Sequence, residues 1–320
     1  MKFKLVVLSS ILVLFSTTFV TAQNEQSNEK VSIGVRGGFT LPNLTGGSSD
    51  DPVSTGYSTA TRFGAGVFVE FKISKLFSIQ PMLEYSQQGA KRNGMQALVA
   101  TAPNPDLAGA FSATWQAALN DAPQLGMLNL PSNFPVPPQY LYADAKRSAK
   151  MDYLMLPVLA KFGWNLGKTS PWRVYVDAGP YIGLLINAKN IVSINGNAVY
   201  ADKMKGQLIQ LPDEATSMIP PAMLPTLTGA VSQISDGLST NLASNMAGTD
   251  NIKEQLHRFN WGLEGNLGIQ YQLHRNKFFL EIGGNYGLMN IQKDTGGGRY
   301  LNGKNNIGAA TLMIGYAYSL

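Results

Sequence analysis

The chain of 320 residues contains no cysteine. That excludes disulfides, zinc–thiolate sites and a lipid-modified N-terminal cysteine together. Charge is almost as scarce: Asp, Glu, Lys and Arg make up 14% of the residues, against about 25% in ordinary soluble domains. With 44% hydrophobic residues, the chain is neither disordered nor dressed with an ordinary soluble surface. The net charge of +5 is spread out, and no run of Lys or Arg exceeds two residues. Nucleic acid is therefore not an expected partner. Past the first 22 residues there is no apolar run of the roughly 18 residues that a transmembrane helix needs.

Enzyme signatures are missing too. There is no Gly-x-Ser-x-Gly, HExxH, P-loop or dinucleotide fingerprint. Histidine occurs twice. His274 falls in an expected tight turn. His257 stands beside Arg258 and near Glu254 at the foot of a long connection, where a solvated loop histidine is the simpler reading than a general base. The stretch DNIKE at 250–254 lacks EF-hand spacing, and GGG at 296–298 reads as a flexible turn. The expectation is a protein that is not an enzyme, with no catalytic residues, no cofactor and no metal.

What is present is a secretory start and a repeated alternation. Lys2 and Lys4 precede an apolar stretch from Leu5 to Val20, and Val20-Thr21-Ala22 supplies small residues for cleavage. Residues 1–22 read as a signal peptide and 23–30 as a short polar tail. In 259–273, FNWGLEGNLGIQYQL, one face carries Phe259, Trp261, Leu263, Leu267, Ile269 and Tyr271, while the other is glycine, Asn, Gln and Glu264. That is period two, the mark of a strand with unlike faces. The pattern recurs at 31–41, 62–73, 77–90, 151–165, 172–187, 278–290 and 310–320. Eight strands result. Pro81, Pro157 and Pro180 fall inside them, which suggests bulges or positions near a rim.

The connections alternate in length. Short turns follow the second, fourth and sixth strands; long ones occupy 42–61, 91–150, 188–258 and 291–305. Short turns at one end and long loops at the other are the habit of outer-membrane barrels. A soluble barrel would turn its apolar face inward. Here the polar face is rich in glycine, and the apolar face carries aromatics near strand ends: Trp164, Trp172, Phe259, Tyr271, Phe278, Tyr286 and Tyr318. Such girdles sit at membrane interfaces. The expected fold is all-β: a single eight-stranded antiparallel transmembrane β-barrel over 31–320, with both termini periplasmic and the long loops about 91–150 and 188–258 extracellular. Outer-membrane lipid is its first partner.

In a closed barrel the last strand pairs with the first, because an edge left open in lipid goes unsatisfied. The closing LMIGYAYSL, 312–320, has the required alternation. It also resembles the C-terminal signal read by the barrel assembly machinery, through Gly315, Tyr318 and Leu320.

A polar face turned inward would carry Arg36, Arg62, Lys72, Lys161 and Arg173, and with them Glu70, Glu84, Asp177, Glu264 and Glu281. Eight strands leave a bore that side chains just fill. Buried charges must pair. The balanced list therefore suggests a closed, ion-paired lumen; a narrow polar conduit is the alternative, and a loop-borne hydrolase a more distant one. In the long loops, Leu107, Phe111, Trp115 and Leu119 recur at helical spacing after Asn104-Pro105-Asp106. So do Leu227, Val231, Ile234, Leu238, Leu242 and Met246. Two amphipathic helices would pack on each other as a cap, or offer a docking patch to an envelope protein or a surface glycan. The proline-rich 130–140 between elements would be extended.

Several stretches together resemble the PorT family of outer-membrane barrels from Bacteroidetes. They are IGVRGGFTLPNL at 33–44, SIQPMLEYSQQGAK at 78–91 and MDYLMLPVLAKF at 151–162, with the glycine-aromatic strands from 259 onward. Glu84, Tyr85, Ser86 and Gly89 carry one part of the likeness, and Tyr153, Leu154 and Pro157 another. The two longest loops fall outside it. The resemblance implies residence in the outer membrane of a Gram-negative bacterium, and one branch of that family is associated with protein secretion and gliding machinery.

Overall fold

The computed structural model describes residues 30–46, 57–99, 120, 140–167, 170–204, 206–208, 213–293 and 305–320. The expected signal, most of the polar tail, the helix expected at 105–119 and the proline-rich 130–139 lie outside them.

Eight strands form the wall: β1 (Val31–Gly46), β2 (Arg62–Lys72), β3 (Phe77–Val99), β4 (Tyr140–Asn165), β5 (Trp172–Tyr200), β7 (Phe259–Leu273), β8 (Asn276–Gly287) and β9 (Asn305–Ser319). A four-residue strand, β6 (Gly248–Asn251), adds to the side of β5. All pairings are antiparallel, and β1 pairs with β9 from Ser32↔Ser319 to Gly46↔Asn305. The ring is closed. The last seam is pinned by Leu320 N donating to Val31 O at 2.9 Å. Turns at one end are tight; the two-residue link His274-Arg275 places His274 in the left-handed region at φ 54°.

The alternation follows the expected hand. Val35, Leu83, Leu156, Ile182, Leu267 and Ile314 point outward and are exposed. Aromatic side chains ring both ends of this apolar band. At the tight-turn end, Trp172 meets Tyr271 at 4.9 Å and Phe278 meets Tyr316 at 5.3 Å between ring centroids. At the other end stand Phe39, Phe63, Phe259, Trp261 and Tyr286, all exposed. Among the described residues no helix is long and apolar enough to cross a membrane; the strands are what can.

The prolines produce no bulge. The ladders skip a step beside them, between Phe68↔Met82 and Phe71↔Ile79, between Pro81↔Val158 and Glu84↔Met155, and between Pro157↔Tyr181 and Ala160↔Ala178. Register is kept on both sides of each gap, as a missing N–H donor alone would give. The register shifts of β4–β5 lie elsewhere, between Ala143 and Ala145 and between Asp152 and Tyr153.

The larger departure from expectation is length. The loops expected at 91–150 and 188–258 begin and end as strand. β3, β4 and β5 run on beyond the other five, still paired to one another through Val99↔Tyr140 and Tyr142↔Tyr200. Helix α1 (Asp213–Met218) and helix α2 (Leu224–Met246) follow this extension. Val231, Leu238 and Leu242 of α2 are buried, as the helical spacing predicted. The face they form lies on β5: Ser239 Oγ donates to Val199 O at 2.7 Å, and Val199 N donates to Ser239 Oγ at 2.7 Å. Ser235 Oγ accepts from Leu208 N at 2.9 Å. The helix is thus a buttress of the projecting sheet.

Candidate functional site in the barrel lumen

The bore is built in layers. Its floor, near the tight turns, holds Glu70, which accepts from Ser78 Oγ at 2.7 Å and lies 3.9 Å from Lys277 Nζ. Lys277 also donates to Ser32 Oγ at 2.8 Å. Lys161 donates to Gln80 Oε1 at 3.3 Å and sets its ammonium 3.8 Å from the centre of the Tyr175 ring. Phe68, Met82, Leu159 and Phe279 pack around that ring.

Arg36 forms the centre. Its Nε donates to Glu84 Oε2 at 3.0 Å, Nη1 to Glu281 Oε2 at 3.1 Å and Nη2 to Glu264 Oε1 at 2.6 Å, with a second, closer contact from Nη2 to Glu84. One guanidinium, whose planar fork suits several carboxylates at once, therefore gathers acids from β3, β7 and β8. Tyr175 Oη donates to Glu281 Oε1 at 2.7 Å, and Asn266 Nδ2 donates to Asp177 Oδ1 at 2.8 Å and to Glu264 Oε1 at 3.2 Å. Arg36 and these four acids are all buried.

Glycine on the inner face makes the room. A Cβ on Gly268 would stand 2.1 Å from Cζ of Tyr175, and one on Gly315 would stand 2.1 Å from Cζ of Phe279. The aromatic rings lie flat across strands that carry no side chain there.

Toward the long loops the filling changes. Gln88 donates to Ser86 Oγ at 2.8 Å, and beyond it Met151, Tyr153, Met155, Tyr181, Leu185 and Ala188 meet Leu44, Ile252, Leu256, Ile291 and Ile307 in one apolar cluster. The residues 252, 256 and 291 come from the connections rather than the wall. They lie in the mouth of the bore.

The ten charged residues expected in the lumen divide accordingly. Arg36, Glu84, Glu264 and Glu281 meet in one cluster, with Asp177 beside it; Glu70 and Lys161 sit in the floor. Three expected members do not join them. Arg62 turns to Ser148 Oγ at 2.8 Å, past the end of β2. Lys72 is exposed at the floor rim. Arg173 donates to the carbonyls of Gly163 at 3.3 Å and Lys75 at 3.4 Å, capping a turn. All three are strand-end positions, where the parity is right and the depth is wrong. The balance of signs expected from the sequence is lost with them. Lys277, at the start of β8, supplies a missing cation, so among the described residues the floor and centre hold five carboxylates against three cations. Tyr175, on the same face of β5 as Asp177, adds an aromatic member to the polar filling. Of the three C-terminal signal positions, Gly315 is inside under Phe279, while Tyr318 and Leu320 face outward and are exposed.

Of the two histidines, His257 is exposed on a loop, with its backbone N donating to Ile291 O at 2.7 Å, and His274 is in the tight turn at the opposite end. Among the described residues no group of acids and histidines could hold a metal ion.

A closed antiparallel ring with an apolar outer band, aromatic rims and a polar, filled bore defines a transmembrane β-barrel. The chain belongs to the outer membrane protein beta-barrel domain family, which matches residues 21–293. Among solved structures it is similar to Neisserial surface protein A, with 11% identity and a TM-score of 0.32 over 92% of this chain and 100% of that one. Ail, the attachment invasion locus protein of Yersinia pestis, gives 10% and 0.31 over 90% and 99%. Outer membrane protein W of E. coli gives 11% and 0.30 over 92% and 100%. No curated protein matches the chain.

Proposed function

We propose that this barrel is a non-enzymatic binding protein of the Gram-negative outer membrane, closed to solutes, with its tight turns and termini in the periplasm and its long connections at the cell surface. One observation carries the closed state: the bore is filled at two successive levels, by the Arg36 cluster and by the apolar cluster around Tyr153 and Tyr181. Solutes need a continuous wet path, and buried side chains at two successive levels oppose one. The binding role is supported by the extension of β3, β4 and β5 with its helical buttress, since rigid structure raised beyond the membrane presents a surface. A place in secretion or envelope machinery, which the PorT resemblance implies, is the form of this reading in which the partner is a protein. The C-terminal strand, with Gly315, Tyr318 and Leu320, is the segment offered to the assembly machinery.

Planar-bilayer recording of the refolded chain tests the closed state. Absence of unit conductance is expected. Steady openings would replace this reading with the second one, a narrow conduit, and the acid excess around Arg36 predicts that such a conduit prefers cations. Cross-linking in cells followed by purification of the intact barrel tests the binding role. A reproducible envelope protein would support it, and a barrel recovered alone would move the role to a surface ligand.

A further inference from the structure

Above the last lipid-facing residue of β4, Leu154, the outer surface of the extension changes character. The outward row of β4 continues as Asp152, Lys150, Ser148 and Lys146; β3 contributes Lys91 and Asn93, and β5 contributes Lys189, Ile191 and Ser193. Lys91, Lys146, Lys150 and Lys189 are all exposed. Lys150 stands directly opposite Lys189, and Lys91 directly opposite Ser148, which lies between Lys146 and Lys150. On an antiparallel sheet, opposed Cβ atoms are about 5 Å apart and diagonal ones about 7–8 Å. Four ammonium groups thus share a patch the size of one sugar headgroup.

Like charges placed opposite each other destabilise a sheet. Among the described residues, none of the four lysines has a carboxylate at ion-pair distance. The acids at the ends of the row are engaged elsewhere. Asp152 accepts from Tyr85 Oη at 2.9 Å and from Asn187 Nδ2 at 2.9 Å; Asp144 accepts from Asn195 Nδ2 at 3.2 Å. Arg62, bonded to Ser148, adds a fifth positive group beside the row.

Height identifies the occupant. Four residues of strand separate Lys150 from Leu154, about 13 Å of rise, and barrel strands tilt by about 40°. The patch begins about 10 Å above Leu154, at the outer edge of the headgroup region. We propose that Lys91, Lys146, Lys150 and Lys189 bind the phosphate groups of a phosphorylated glycolipid headgroup in the outer leaflet. This rests on the orientation proposed above, with the long connections at the cell surface.

The test uses the full barrel in detergent micelles titrated with diphosphoryl lipid A and read by native mass spectrometry. The quadruple variant Lys91→Gln, Lys146→Gln, Lys150→Gln, Lys189→Gln should bind about a hundredfold more weakly, at about 1 kcal/mol per lysine with partial additivity. The matching four Lys→Arg changes should keep the binding. These side chains are exposed, so heat-modifiable gel migration should remain that of the folded barrel. Equal binding by the Gln variant, or equal binding of dephosphorylated lipid A, would overturn the proposal. Displacement by equimolar inorganic phosphate would overturn the lipid as its source. Orientation is read separately. In this cysteine-free chain, Ser193→Cys should react with a membrane-impermeant maleimide on intact cells. Reaction only in broken cells would remove the outer leaflet as the source, whatever the micelle result.

Discussion

Around Arg36 the bore is filled by charge, whereas toward the long loops it is filled by Met151, Tyr153, Met155, Tyr181 and Leu185. Both fillings bury their side chains, but they fail differently. The charged level is specific: each acid has a place on one guanidinium, and removing the hub strands several charges at once. The apolar level is tolerant, because hydrophobic side chains of similar volume can repack. A barrel wall repeats the same geometry around the ring, so a level that accepts one arrangement only is a means of fixing register between strands far apart in sequence. Arg36 of β1 does this for β3, β7 and β8.

The contrast can be broken most directly at its hub. Arg36→Ala should destabilise the barrel by about 3–5 kcal/mol, read by urea unfolding in micelles. Changing Arg36 together with Glu84, Glu264 and Glu281 to Met should cost less than Arg36→Ala alone, because no charge is left uncompensated; an equal or greater loss would sink the hub argument. In the apolar level, Leu185→Ala should cost about 2–4 kcal/mol through the cavity it leaves, and Leu185→Met should recover most of it. Gly268→Ala pushes a methyl into the Tyr175 ring and should cost about 1–3 kcal/mol; pairing it with Tyr175→Leu should relieve the strain. Ser239→Ala, which removes the hydrogen bonds from α2 to Val199, should cost about 1 kcal/mol, visible as faster proteolysis of the extension while the barrel itself stays folded.

Strand number, pairing order and the direction of each face were legible where lipid and lumen impose opposite demands. In 259–273 the outward face must be apolar and the inward face polar or small, and the strand follows the alternation from Phe259 to Gln270. The same logic explains the failure at 91–99 and 140–150. There the outward face meets water or headgroups, so Lys91 and Lys146 stand outside while Ala90, Ala143, Ala145 and Arg147 are inside. The contrast of polarity is turned round there, polar outside and mostly small inside, so a search for an apolar outer face passes over it. Depth was the other hidden quantity. Parity gives the face of Arg62, Lys72 and Arg173 but not their distance from the centre, and all three sit at strand ends. Lys277 was missed for the converse reason: beside a tight turn, a lysine reads as solvated, yet the floor of the bore reaches down to it.

The extension has a consequence for reach. From Leu154 to Tyr140, β4 runs about 45 Å along its own axis while hydrogen-bonded to β3 on one side and β5 on the other. A flexible loop of similar length would sample many heights, and each capture would cost the entropy of choosing one. A three-stranded mast stiffened by α2 has already made that choice. Whatever is carried at its tip stands at a set distance from the apolar band of the wall, fixed before any encounter.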